Sequence, residues 1–445
     1  MRTILVLGAG RSATVLLDQL VAQASEDDWM IEVGDLSVDH LNATYGGSDR
    51  IRPFLFTLEQ EEVRRERIAA ADLVISMLPA HLHPVVARDC LNLGKDLLTP
   101  SYQSAEMDEL ADDARQAGLL FLNELGVDPG IDHMSAMRII DDLHARGATI
   151  TAFESFTGGL VAPESDDNPW HYKFTWNPWN VIRAGAGGTV KFLHNGRPKY
   201  IPYHKLFDRT ELIDIEGYGT FQGYANRDSL VYKDLYGLHD VRTLYRGTLR
   251  RPPFCTAWHM LVQIGATDDG FIMDGTETMT YRQFINSFLK YRDGDSVELK
   301  LAYYLGKDVD SEEMRLLEWA GLFSDEVIGL RRATPARVLE HLFKQRWAMG
   351  PDDRDMIVMW HLFEYELDGR SHRLESSMVA IGEDTRRTAM ARTVGLPLAI
   401  AARERLTGGL TLNGVHRPLM KEVYDPVLDQ LETTGIAFRE REQAL

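Results

Sequence analysis

Asp128 stands before Pro129 and Gly130 in the run Asn123-Glu124-Leu125-Gly126-Val127-Asp128-Pro129-Gly130-Ile131-Asp132-His133. A residue that precedes proline is steered away from helical backbone, so Asp128 is expected at a turn and is the favoured functional carboxylate. Asp132 falls in the first turn of the helix that opens at Ile131. A carboxylate there complements the helix dipole, so its expected role is structural. Tyr102 follows Pro100-Ser101 at the end of an apolar run. It could hydrogen-bond a substrate or simply pack its ring at a sheet edge. Further along, Arg227 lies in Tyr224-Ala225-Asn226-Arg227-Asp228-Ser229 and Arg250 closes Arg246-Gly247-Thr248-Leu249-Arg250. Guanidinium binds carboxylate through two parallel hydrogen bonds, so these arginines read either as clamps for an acidic substrate or as ordinary surface ion pairs.

The first apolar run, Thr3 to Leu7, is followed by Gly8-Ala9-Gly10-Arg11-Ser12-Ala13 and then by Val15, Leu16, Leu17, Leu20 and Val21 at helical spacing. Strand, glycine turn and helix are the context a dinucleotide fingerprint requires. Gly8 permits the tight turn, Gly10 lets backbone approach a pyrophosphate, and Ala13 keeps the helix close to the sheet. The helix N-terminus is expected to offer N–H groups to the phosphates. Asp35 ends the second strand, Met30 to Asp35. A carboxylate there accepts both hydroxyls of an adenosine ribose and repels a 2′-phosphate. Its successors, Leu36 and Ser37, are not basic, which argues for NAD over NADP. Arg11 is the one nearby group that disputes the point.

These groups need a scaffold. Strands are expected at Ile51–Phe56, Leu73–Met77, Asp96–Thr99 and Leu119–Leu122, with helices at Gln60–Ala71, Val85–Leu93 and Glu106–Ala117. That alternation implies a doubly wound parallel sheet, with ligands beyond the carboxyl ends of its strands. The Asn123–His133 stretch then reads as a hinge between two domains and one wall of an active site. Beyond it the pattern gives a strand at Thr149–Phe156, then a long loop from Gly158 through Asn168-Pro169-Trp170-His171-Tyr172-Lys173-Phe174-Thr175-Trp176-Asn177. Loops this long and aromatic are usually binding loops. Residues 281–349 read as helical, and Asp368-Gly369 marks a hairpin between two long strands. Helices follow at Thr388–Leu406 and Leu419–Glu432, and a short last strand at Ile436–Phe438.

With 445 residues the chain has room for two or three cores. No apolar run reaches the roughly 18 residues of a membrane span. The N-terminal run is expected to be a first strand rather than a signal peptide. Acidic residues outnumber basic ones, 67 to 48, for a net charge of −19, and such a field repels nucleic acid and anionic lipid. Cys90 and Cys255 lack metal-ligand spacing and read as reduced thiols of a cytoplasmic protein. His81, His83, His133 and His361 form no metal motif, so no metal is expected, and surface or packing roles are expected for them.

Several segments agree with one family. Gly8-Ala9-Gly10, Ser76 to His83, Pro100 to Ser104, Asn123 to His133, Gly158 to Glu164 and Asn168 to Trp176 occur in its order. So do Asn226 to Ser229, Arg246 to Arg250, Thr393 to Ala401 and Gly414 to Pro418. The sequence resembles saccharopine dehydrogenases of the glutamate-forming type. The resemblance implies three parts. A Rossmann-like domain spans 1–124 and about 390–445. An α/β domain with a mixed sheet, for substrate binding and dimerisation, spans 125–280 and about 350–389. An all-helical insert spans about 281–349. It implies an oxidoreductase that interconverts saccharopine with L-glutamate and 2-aminoadipate 6-semialdehyde through an imine, in lysine metabolism, as a cytoplasmic homodimer. Asp128 and Tyr102 become the catalytic pair. Ser101, Arg227, Thr248, Leu249 and Arg250 join them as substrate contacts. The implied dinucleotide contacts are Gly8, Gly10, Arg11, Ser12, Ala13, Asp35, Leu36, Ser37, Leu58, Ser76, Leu78, Pro100, Ser101, Val127 and Asn177.

Two residues depart from the family pattern. Thr157 stands where fungal members carry a cysteine, so no thiol chemistry is expected. Asp35 stands where NADP-using members carry neutral or basic residues, which favours NAD and the oxidative, lysine-degrading direction. Two rival readings are an imine-reducing enzyme of polyamine synthesis and a non-catalytic NAD-binding adaptor. A polyamine site needs acidic residues where Arg227 and Arg250 stand, and an adaptor has no need of the intact polar segments.

Overall fold

The computed structural model describes residues 1–292 and 294–445. The chain divides into two compact units, Met1–Ala148 with Met378–Arg439, and Thr149–Ser377 with Glu440–Leu445.

In the first unit, strands β1 (Arg2–Leu7), β2 (Trp29–Asp35), β3 (Ile51–Leu55), β4 (Leu73–Ser76), β5 (Asp96–Leu98) and β6 (Leu120–Leu122) pair in parallel in the order β6-β5-β4-β1-β2-β3. The order reverses between β1 and β4, which is the crevice where such sheets receive ligands. Near-continuous apolar runs in β1 and β4 suit strands covered on both faces. One face packs α1 (Thr14–Gln23) together with Leu398, Ala399, Ala401 and Ala402 of the helix Ala389–Thr407. The other packs Ile68, Val86, Ala87 and Cys90, among others.

Three readings change here. Gly414–His416 adds a seventh parallel strand beside β6, so the C-terminal segment contributes to the sheet as well as to its cover. The helix expected over Glu106–Ala117 is two short pieces, Ala105–Asp108 and Ala111–Gln116. The helix Ile131–Ala145 counts with this unit, so the boundary falls after Ala148 rather than at 124. Its outer face explains why: Arg138 pairs with Asp429, and Tyr424 donates to Asp141, tying it to the helix Lys421–Thr433. A helix at Asp39–Tyr45, which the sequence pattern did not suggest, also belongs to this unit.

The second unit is built on a mixed nine-stranded sheet. Its central strand β7 (Thr149–Val161) pairs antiparallel with Asp355–Leu367 and parallel with Thr243–Arg250. The strand is longer than expected. Gly158 to Val161, expected as loop, continue it, because Met356 to Val358 and Asp355 supply ladder partners to the end. The hairpin at Asp368-Gly369 is as the sequence implied, with both residues at positive φ of 51° and 72°. Helices between Tyr281 and Arg346 belong to this unit. Among the described residues no helix is long and apolar enough to cross a membrane.

Candidate functional site

At the carboxyl end of β1, Gly8 adopts a φ of +97°, and a β-carbon there would lie 2.9 Å from the Met77 carbonyl oxygen. Only glycine allows β1 to turn this close to the end of β4. Around Gly10 a β-carbon would meet nothing within 4 Å, so the loop faces open space on that side. The residues fit a dinucleotide pyrophosphate, which needs backbone approached closely. Arg11–Ala13 form a 3-10 turn, and α1 starts only at Thr14. The expected helix N-terminus is therefore preceded by this tighter turn, whose first side chain, Arg11, is exposed. Asp35 reaches back across the loop. Its Oδ2 accepts from Ala9 N at 2.6 Å and its Oδ1 from Ser37 N at 3.2 Å. Each oxygen keeps a second lone pair for a ribose hydroxyl. Leu36 is 78% exposed beside it.

The ends of β4 and β5 are joined by an imidazole. His83 Nδ1 lies 2.8 Å from Ser76 Oγ, and its Nε2 lies 2.8 Å from Ser101 Oγ and 2.9 Å from Thr99 Oγ1. The ring is buried, and burial lowers its pKa to about 4, so it stays neutral at physiological pH. A neutral ring has one donor and one acceptor nitrogen. Whichever tautomer forms, the hydroxyls of Ser76 and Ser101 are oriented by the same side chain.

Tyr102 Oη donates to Asp128 Oδ1 at 2.8 Å. The pairing is made by two loops. One leaves β5 as Thr99–Gln103; the other leaves β6 and turns at Asp128-Pro129, whose peptide bond is cis. Gly130 has φ +147°, and a β-carbon there would lie 2.0 Å from the Gly126 oxygen. The loop crosses itself too closely for any side chain. Asp132 Oδ1 accepts from Gly130 N at 2.6 Å, the structural task expected of it. Glu124 is buried between the two loops. Its Oε1 accepts from Gln103 N at 2.9 Å and from Arg417 Nε at 3.0 Å, and its Oε2 lies 2.8 Å from His133 Nε2. Its pKa is lowered: burial pushes it up, and the hydrogen bond and charge of His133, Gln103 N–H and Arg417 together outweigh that.

In the second unit Arg250 is 3% exposed. Its guanidinium carbon lies 5.0 Å from the Tyr172 ring centre and 5.4 Å from that of Phe254. One nitrogen donates to the Leu249 carbonyl at 2.8 Å, while among the described residues Nε has no partner and no carboxylate acts on the guanidinium. A buried cation without an anion is costly, so the pocket is one that an anionic group completes. Thr248 Oγ1 accepts from Asn226 Nδ2 at 3.3 Å. Leu249 is fully buried, and Arg227 is exposed.

Two family models match nearly the whole chain. One, "Saccharopine dehydrogenase NADP binding domain", covers residues 4–122, and the other, "Saccharopine dehydrogenase C-terminal domain", covers 126–436. The chain belongs to the saccharopine dehydrogenase family. It is 31% identical to the Saccharomyces cerevisiae protein named saccharopine dehydrogenase (NADP(+), L-glutamate-forming), over 99% of both chains. The solved apo saccharopine dehydrogenase (L-Glu forming) from that yeast superposes with a TM-score of 0.90 at 30% identity, covering 100% of each chain. The bovine mitochondrial alpha-aminoadipic semialdehyde synthase is 32% identical over 98% of this chain. The chain spans 47% of that relative's length. The fold is thus the family's, a Rossmann-like sheet unit and a mixed-sheet α/β unit.

Within this family frame the expected residues fall in two groups. Gly8, Gly10, Arg11, Ser12, Ala13, Asp35, Leu36, Ser37, Leu58, Ser76, Leu78, Pro100, Ser101, Tyr102, Val127 and Asp128 belong to the first unit. Leu58 offers its carbonyl to Arg64, and Val127 is buried under the cis turn. Arg227, Thr248, Leu249, Arg250 and Asn177 belong to the second, where Asn177 caps the helix Pro178–Ile182 through Trp179 N at 3.0 Å. The aromatic segment is not an open binding loop. Trp170, Tyr172 and Phe174 are buried against Phe254 and Trp347, because large rings at the end of the sheet have more to gain from each other than from solvent. Thr157 is buried with its hydroxyl unpartnered.

Sequence reasoning missed His83, Glu124, His133 and Arg417. The histidines are buried as packing residues would be, but each ring nitrogen near the site has a polar partner. The available signal was their position, inside the same short motifs that carry Ser76, Asp128 and Gly414.

Proposed function

We propose that the chain catalyses nicotinamide-dependent interconversion of saccharopine with L-glutamate and 2-aminoadipate 6-semialdehyde. The observation that carries this reading is the Tyr102–Asp128 pair at 2.8 Å, at the carboxyl edge of a dinucleotide-type sheet in a chain of this family. The uncompensated Arg250 supports a substrate rich in carboxylates, and saccharopine has three. It speaks against a polyamine-type imine, whose amines would need acidic partners.

The bound dinucleotide supplies a hydride acceptor. Hydride departs from the carbon beside the secondary amine of saccharopine, leaving an iminium. Water adds to that carbon, the carbinolamine loses its C–N bond, and glutamate and the aldehyde separate with release of one proton. Asp128 is the electrostatic partner of the iminium, and Tyr102 holds its carboxylate in one orientation. Ser101, oriented by His83, contacts the ligands from the adjoining loop.

NAD is the proposed dinucleotide. Asp35 supports it, since its carboxylate is oriented by Ala9 N–H and has no basic successor to neutralise it. The fungal relatives are named for NADP(+), and the matching family model is named an NADP binding domain. This chain is proposed to differ at that one recognition point. A homodimer in the cytoplasm remains part of the reading. The test is purified protein with saccharopine and either NAD or NADP, read as absorbance of the reduced nicotinamide. Reduction with NAD preferred supports both statements. No reduction with either overturns the reaction, and preference for NADP overturns the Asp35 argument alone.

A further inference from the structure

We propose that Glu124 is the positioning residue that sets the Tyr102–Asp128 pair, acting through backbone on both sides of Tyr102. Its own N–H donates to the Ser101 carbonyl at 3.1 Å, while its carboxylate accepts from Gln103 N at 2.9 Å. One residue thus holds the peptide groups immediately before and after Tyr102. The other side of Glu124 is anchored by His133 at 2.8 Å and Arg417 at 3.0 Å. His133 lies in the first turn of the helix that follows Asp128, and its Nδ1 is 3.7 Å from Asp132 Oδ2. Asp132 in turn holds Gly130 N. The chain of contacts therefore runs from the Tyr102 loop through Glu124 and His133 to the turn carrying Asp128.

An independent backbone observation points to the same residue. Glu124 has φ +60°, a left-handed conformation that side chains other than glycine and asparagine rarely adopt. Such a conformation persists where its surroundings over-determine it, and it clusters at functional sites. Here it turns the N–H toward Ser101 and the carboxylate toward Gln103 in one residue. An aspartate would be too short to span both, and a glycine would satisfy the backbone without the clamp. Arg417 comes from the segment after the strand Gly414–His416, so the seventh strand of the sheet has a purpose at this site: it delivers the cation that completes the cluster.

The inference rests on the proposed reaction only for its kinetic readout. Glu124→Gln keeps an acceptor for Gln103 N but loses the charge facing His133 and Arg417. Arg417→Gln removes the outer tether and leaves Glu124 in place. Both are compared with the native chain by steady-state kinetics and by amide hydrogen exchange followed peptide by peptide across the first unit, including 99–104 and 123–133. Expected are a fall in kcat of about tenfold for each variant, KM for the dinucleotide within twofold, and faster exchange confined to 99–104 and 123–133. Unchanged kcat with unchanged exchange in these segments overturns the proposal. So does a kcat loss matched by faster exchange throughout the first unit, which would mean general destabilisation. If the native chain does not oxidise saccharopine, the proposed reaction fails, and the exchange measurement still decides the clamp.

Discussion

Tyr102→Phe removes one hydroxyl and little else. In the structure that hydroxyl donates to Asp128 at 2.8 Å, and both side chains are only partly buried. A hydrogen bond to a charged group contributes about 1.5–3 kcal/mol, and the exposed side favours the lower end. At about 1.4 kcal/mol per decade, kcat/KM for saccharopine should fall by about 10-fold, and by no more than about 100-fold. Asp128→Ala should slow turnover further without abolishing it, because water and the substrate amine can carry protons. The decisive measurement is the double variant. If Tyr102 acts by orienting Asp128, then Tyr102→Phe costs little once Asp128 is gone, and the double-variant cycle returns a coupling of about 1–2 kcal/mol. Strict additivity would refute the orienting role and give Tyr102 an independent contact with the substrate. An unchanged kcat and KM in Asp128→Ala would refute the assignment of the carboxylate itself.

Three further outcomes follow from the geometry. Asp35→Ser should lower kcat/KM for NAD by about tenfold or more, through loss of charged hydrogen bonds to ribose, and raise activity with NADP; parallel initial rates with both dinucleotides check it. Arg250→Met should raise KM for saccharopine at least tenfold while raising the melting temperature, since an uncompensated buried cation is replaced by an apolar chain; thermal melts and titration calorimetry read the two effects. His83 has a folded pKa of about 4 against 6.5 unfolded, lowered chiefly by burial, so the unfolded chain binds more protons between these values. Stability is fully present above pH 6.5 and declines as pH falls toward 4, by about 3 kcal/mol at most; His83→Gln should flatten that limb of a denaturation-versus-pH curve.

The parallel sheet was legible because buried strands such as Ile4 to Leu7 and Leu73 to Ile75 are continuous apolar runs separated by amphipathic helices. The strand Gly414–His416 was not, because three residues with a histidine carry no periodicity; its pairing with β6 is decided by the surrounding fold. The Gly158 to Val161 strand was hidden for a related reason. Glycines read as loop, yet at Gly158 a β-carbon would lie 2.8 Å from the Leu249 carbonyl oxygen, so the small residue serves a close strand approach. Aromatic rings from Trp170 to Phe174 misled in the opposite sense, since core and binding loop share a composition and only burial separates them. At the site, proline restricted Asp128 to a turn, and that local rule sufficed to single it out. Glu124 shares that motif, but no local rule assigns its role, because its partners Gln103 and Arg417 are distant in sequence.

Three carboxylates within nine residues of chain acquire three different tasks from the donors they meet. Asp132 accepts a backbone N–H and fixes the glycine that lets the loop close. Glu124 meets a second backbone N–H, an imidazole and a guanidinium, so its charge is used within the protein and is buried. Asp128 meets a phenol, a neutral donor, and remains partly accessible. Of the three, only Asp128 is both oriented by a hydrogen bond and partly exposed. An iminium developing beside it would meet a carboxylate that is still partly accessible, whereas beside Glu124 it would compete with Arg417. The choice of partner, more than the choice of acid, separates the group proposed for chemistry from the two that hold it in place.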